Sequence, residues 1–370
     1  MKIPRLFLFS LILILAGALS ACAGGASAAT SWPGLTVDTN TGLAYLAYNQ
    51  EVYGLDLTNG TEKWRYPEKA DSKITFYATP ALTQNDQLIV GSYDYSLYSL
   101  NSQDGKPIQG KNWPFKDGEK INRYIAGSLV TSDQIFAPNA NGVLYALDLN
   151  GNELWSYKTA EALWATPATD GTTIYLPAMD HHIYALDAKS GSLVWESENL
   201  GGAVSGTPAV GPNGELYVGT FNKEMLALDS KTGKVNWRFA TQGWVYSGPA
   251  LDNGVLYFGD LNGYFYALKT ADHTELWPAK APAATSNNGI SGTPLVDQGV
   301  VYYTSEDGNI YALDAATGNS RWNKTIGGKL YAPPVLAGDK ILVSSVGADN
   351  LLYALNVQGN EVWKYNPQSK

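Results

Sequence analysis

YALDAKSGSLVW, residues 184–195, recurs with small changes along almost the whole chain. Its echoes are YGLDLTNGTEKW from Tyr53, YSLNSQDG from Tyr98 with Trp113 beyond it, and YALDLNGNELW from Tyr145. LALDSKTGKVNW from Leu226, YALKTADHTELW from Tyr266, YALDAATGNSRW from Tyr311 and YALNVQGNEVW from Tyr353 complete the set. The leading positions 53, 98, 145, 184, 226, 266, 311 and 353 are 39 to 47 residues apart, the length of a four-stranded propeller blade.

Each unit reads as four short strands. The first follows a Thr-Pro or Gly-Pro pair, as in TPAL from Thr79; the second is an alternating run such as GELYVGT from Gly214. The third is the YALD strand and the fourth carries the tryptophan. Asp-x-x-x-Gly between the last two is turn chemistry, since Asp bonds backbone amides and Gly tolerates positive φ, so the recurrent Asp needs no catalytic role. The recurrent Trp64, Trp113, Trp155, Trp195, Trp237, Trp277, Trp322 and Trp363 are expected to dock between neighbouring blades, where a large ring buries much area. Trp32-Pro33-Gly34-Leu35 matches a first strand and Trp363-Lys364-Tyr365 a last one, so the expected fold is all-β, an eight-bladed β-propeller of four-stranded antiparallel blades over residues 31–370. A seven-bladed ring with a stray repeat would leave a blade with exposed edges.

The start of the chain sets the compartment. Lys2 and Arg5 precede an apolar run over residues 6–18, a secretory leader too short for a stable membrane span. Leu19-Ser20-Ala21-Cys22 follows and resembles the lipobox of bacterial lipoproteins, which implies a cleaved signal at 1–21, a lipidated Cys22 and a flexible tether over 22–30. The competing reading is an ordinary signal with a chance cysteine; Cys22 is the only cysteine and stands where the lipobox requires one. Without Lys2 and Arg5 the chain carries 23 basic against 34 acidic residues, −11, which disfavours nucleic acid and anionic surfaces. The expected location is the extracytoplasmic face of the cell membrane or the periplasmic face of an outer membrane.

The repeat resembles the pyrroloquinoline-quinone (PQQ) repeat family, whose tryptophan-docked propellers share the YALDxxTGxxxW pattern. That family includes quinoprotein alcohol and glucose dehydrogenases as well as non-enzymatic lipoproteins such as the BamB-type outer-membrane assembly factors. The dehydrogenases are longer and pair adjacent cysteines over the cofactor, with a catalytic Asp and calcium-ligating Glu and Asn. This chain has no cysteine pair, so the resemblance favours a non-catalytic scaffold, expected as a monomer, that binds envelope protein partners. The alternative is a reduced quinoprotein-like propeller binding PQQ, a quinone or a carbohydrate. No catalytic residue, metal site or cofactor is expected, with PQQ and calcium left open.

Function on a propeller sits where the between-blade connectors meet the turns joining second and third strands. Three residues before the leading proline or its equivalent stand Tyr77, Tyr124, Trp164, Tyr246 and Tyr331, with Thr30, Ser205 and Ser291 in the other blades. The plainer role for these side chains is packing that plugs a wide ring; the functional one is an aromatic rim for a sugar, a quinone or a partner peptide. Arg123 beside Tyr124 is the sharpest single candidate, since Arg and Tyr favour interface hot spots. The same turns carry Asp94, Asn139, Asn141, Asp180, Asn222, Asp260, Asn262, Glu306, Asp307 and Asp349, without a compact calcium loop. Adjacent His181 and His182 lack further ligands, and no GxSxG is present. The longer connectors 67–76, 116–123 and 279–288 are candidate interaction loops.

Overall fold

The computed structural model describes residues 31–110, 112–118, 123–280 and 288–367. The leader, Cys22 and the tether lie outside these residues, as do most of the 279–288 connector and residues 119–122 of the 116–123 connector. Among the described residues the chain forms eight antiparallel sheets in chain order, and they are the blades of a closed propeller. Blade 1 is typical, with strands Gly34–Asp38, Leu43–Tyr48, Glu51–Asp56 and Glu62–Tyr66 paired in sequence. The inner strand Gly34–Asp38 touches the inner strand Val335–Ala337 of blade 8, which closes the ring. No helix among the described residues is long and apolar enough to cross a membrane.

The middle strands are buried on both faces because each blade packs between two others. Leu216, Tyr217 and Val218 are all buried, so the alternation expected of the second strand gives way to a continuous apolar run. Each apolar cluster spans a seam: Tyr175, Ile183 and Trp195 of blade 4 pack with Leu216, Val218 and Leu226 of blade 5.

The YALD…W signature is the seam itself. In blade 4 the register slips between Ala185 and Leu186, so that Trp195 faces Ala185 and Val194 is the extra residue of a β-bulge. The residue opposite the indole is small, Ala in six blades and Gly54 in blade 1, where the ring sits so close that a Cβ would lie 2.3 Å from Trp64. Each ring then reaches the next blade. Nε1 of Trp64 donates to the Ser102 carbonyl, Trp155 to Ala188, Trp195 to Ser230, Trp277 to Ala315 and Trp322 to Val357, at 2.9–3.1 Å. Trp363 of blade 8 donates to Leu57 of blade 1 at 3.0 Å. Beneath the rings lie the turn glycines, such as Gly191 at φ 71° under Trp155. Two seams lack the N–H bond, since Trp113 and Trp237 each leave Nε1 buried without a partner.

Blade 2 departs from the expected four strands. Its sheet has three, Ala81–Leu82, Gln87–Gly91 and Leu97–Asn101. The segment carrying Trp113 touches the third strand only at the isolated bridges Leu100↔Pro107 and Leu97↔Phe115. The cause is local: Gly105 and Trp113 are eight residues apart against four for Gly191 and Trp195, and Pro107 and Pro114 have no N–H for a ladder.

Candidate functional site

The connectors and the second-to-third-strand turns share one end of the ring and surround the mouth of its channel. Four residues before the leading proline or its equivalent stand Phe76, Tyr124, Leu163, Val204, Val245, Ile290 and Leu330, each at most 1 % exposed. These side chains wedge against the preceding blade: a Cβ on Gly91, Gly219 or Gly259 would lie 2.2–2.3 Å from Tyr124, Val245 or Ile290. One residue later comes the rim position, held by Tyr77, Ile125, Trp164, Ser205, Tyr246, Ser291 and Tyr331.

Tyr124 is therefore not a rim residue, a correction to the sequence expectation. Ser128 occupies the proline station of blade 3, immediately before the inner strand Leu129–Val130, so Ile125 takes the rim place and Tyr124 the wedge below it. The tyrosine pattern was one residue out of step because blade 3 has no proline to mark its register. The rim serines are struts. Ser205 Oγ donates to the Tyr246 carbonyl at 2.8 Å and Ser291 Oγ to the Tyr331 carbonyl at 3.1 Å, each tying one blade to the rim of the next.

The rim aromatics converge, around a residue the sequence reading used only for blade phase. Trp32 lies flat on Tyr331 of blade 8, with centroids 4.7 Å apart and planes at 5°, and tilts against Tyr246 of blade 6 at 5.6 Å. Blades 1 and 6 are not neighbours, so Trp32 extends over the channel. Phe221 continues the stack, 5.2 Å from Trp244 and 6.0 Å from Tyr246. Burial pushes the Tyr246 hydroxyl up to about 12. Trp32 is the rim residue of blade 1, a correction to the expected Thr30: Thr36 pairs with Tyr45 as Ala81 pairs with Ile89, so Leu35 holds the station of the leading proline and Trp32 stands three residues before it.

A second aromatic group stands on blades 2 and 3. Tyr93 stacks on Tyr77 at 4.2 Å, and the exposed Arg123 guanidinium lies over Tyr93 at 4.9 Å. Burial raises the hydroxyl pKa of both tyrosines, keeping them neutral donors beside a fixed cation. Trp164 is 37 % exposed, as much as Trp32, and these two indoles are the large rings the rim offers to solvent.

The turn carboxylates are already occupied. Asp94 accepts from Tyr98 at 2.6 Å, Asp180 from Tyr184 at 2.9 Å, Asp307 from Tyr311 at 2.6 Å, and buried Asp260 from Tyr266 and three backbone amides. Asp349 is exposed, and Glu306 differs from the rest: burial raises its carboxyl pKa, opposed by Lys329 4.0 Å away. Among the described residues no three His, Cys, Asp or Glu side chains group as metal ligands. His182 bonds the Ser197 carbonyl through Nδ1 at 2.8 Å. A calcium-bound quinone needs several oxygen ligands at one place; here Asp94, Asp180, Asp260 and Asp307 serve tyrosines and no such group forms among the described residues, so these residues do not fit that group.

The profile of the family described as outer membrane protein assembly factor BamB matches residues 24–196, 179–290 and 266–370. The chain belongs to the BamB family. Among solved structures it is similar to BamB from Moraxella catarrhalis, with TM-score 0.68 and 19 % identity over 88 % of this chain and 93 % of that one. It is also similar to the computationally designed Ika8 protein, with TM-score 0.73 and 12 % identity over 88 % and 96 % of the two chains. The quinohemoprotein alcohol dehydrogenase from Comamonas testosteroni matches with TM-score 0.71 and 14 % identity over 92 % of this chain and 76 % of that one. At these identities the likenesses concern the fold, which BamB shares with an enzyme and a design. No curated protein matches the sequence.

Proposed function

We propose that this BamB-family chain is a non-catalytic, lipid-anchored envelope scaffold that binds protein partners on its channel-mouth face. The observation that carries the reading is how the rim is spent. Trp32, Tyr246, Tyr331, Phe221 and Trp244 engage one another over the channel mouth, while Trp164, the exposed part of Trp32 and the stacked Arg123–Tyr93–Tyr77 group face outward. A capped channel suits a flat partner surface better than an enclosed small molecule. An exposed indole and an Arg held on a ring are the residue types that dominate interface energetics, because little ordering entropy is lost on binding. Cys22, with the leader before it, supplies the anchor in this reading.

The test is chemical crosslinking in native membranes of the full-length protein and an Arg123→Ala, Trp164→Ala double variant. The scaffold reading expects a discrete adduct of higher mass that falls at least about tenfold in the variant, two hot-spot truncations of 1–2 kcal/mol each. The variant should melt within a few degrees of the parent. An undiminished adduct, or calcium- and PQQ-dependent oxidation of alcohols or sugars by the purified domain, would overturn the reading.

A further inference from the structure

The place where the chain enters the propeller fixes which face can look at a membrane. Ser31 is fully buried and is pinned to the second-to-third-strand turn of blade 1: its N donates to Asn49 Oδ1 at 3.0 Å, and Asn49 N donates to Ser31 Oγ at 2.6 Å. Trp32 then covers the channel, touching Tyr331 and Tyr246. The chain thus enters close to the propeller axis, on the same face as the rim.

We infer that the channel-mouth face is turned toward the bilayer, so that a partner reads the rim from the gap between propeller and membrane. The inference rests on the lipid-anchor reading of Cys22 proposed above. Nine peptide steps separate Cys22 from Ser31, a contour of at most about 32 Å however the tether is arranged. A compact domain of this size has a radius of gyration of about 20 Å, equivalent to a sphere of radius about 26 Å. An edge-on domain would hold Ser31 about 26 Å above the bilayer, drawing the tether nearly taut where a flexible nine-residue chain spans about 15–18 Å on average. Facing the rim away would lift Ser31 by about 52 Å, beyond the full contour. A slack tether therefore holds the rim toward the bilayer. A ligand diffusing in open solvent therefore meets the opposite face, whereas a protein segment rising from the bilayer meets Arg123, Tyr93 and Trp164.

The full-length lipidated protein in phosphatidylethanolamine–phosphatidylglycerol vesicles tests this directly. A donor dye is placed through Gln242→Cys on the rim side, or through Lys231→Cys in the third-to-fourth-strand turn on the opposite face, with an acceptor on the lipid headgroups. The expected result is energy transfer at least twofold greater from position 242, with the difference lost when a long Gly/Ser insert precedes Ser31. Equal transfer from the two positions on vesicle-bound protein, or a larger value from 231, overturns the orientation while leaving the anchor intact. Failure of the protein to float with the vesicles overturns the anchor reading, and the orientation with it.

Discussion

At the scale of single residues, the seams between blades are read most directly from what stands under each tryptophan. Seven turns place glycine there, at φ between 68° and 83°. The eighth has His273 at φ 60°, its imidazole stacked 4.8 Å from the Trp237 ring. A side chain where the other turns have none accounts for the unpartnered Trp237 Nε1, since the indole cannot settle onto the turn backbone. His273→Gly should remove left-handed strain and let Nε1 reach a carbonyl, at the loss of one stack, a net gain of about 1 kcal/mol. The check is a rise in the denaturant midpoint. Gly191→Ala should act oppositely, because its Cβ would lie 2.5 Å from Trp155 and its φ of 71° disfavours a side chain; a loss of about 2 kcal/mol or more is expected in the same assay. The periodic Asp, Gly and Trp were legible because each answers to its own turn or seam. The meeting of Trp32 with Tyr246 was not, since it depends on ring closure rather than on local pattern.

At the scale of strands and blades, blade number and phase followed from the repeat, and seven sheets have the expected four strands. The fourth strand of blade 2 and the register of Tyr124 were not legible, for related reasons. An insertion with two prolines removes ladder donors in one blade, and the loss of the leading proline removes the register mark in the next. Burial pushes the hydroxyls of Tyr175 and Tyr217 on the middle strands, and of Tyr246 at the rim, up to about 12. The folded state holds those protons more tightly than the unfolded chain, whose tyrosines titrate near pH 10. Their contribution is complete below about pH 10 and is lost as pH rises toward 12. Alkaline unfolding should therefore set in above about pH 10, coincident with a rise in tyrosinate absorbance. Tyrosinate formation near pH 10 with the fold intact would contradict it.

At the scale of the whole molecule, ring closure is a seam like the others, with one addition. Trp363 bonds Leu57, Tyr365 donates to Glu62 at 2.6 Å, and Glu62 and Glu51 hold the Arg65 guanidinium. Trp363→Ala should cost about 3–5 kcal/mol, and because it opens the ring between first and last blades it should also raise proteolysis at the chain ends. A closed ring gives the channel-mouth face its rigidity, and in the proposed scaffold reading the outward groups of blades 2 to 4 are what a partner meets. Site-specific photocrosslinking in native membranes tests that claim most directly, with the photoreactive residue at position 164 on the rim or 231 on the opposite face. A specific protein adduct from 164 and none from 231 is the predicted result; adducts from 231 alone would contradict it.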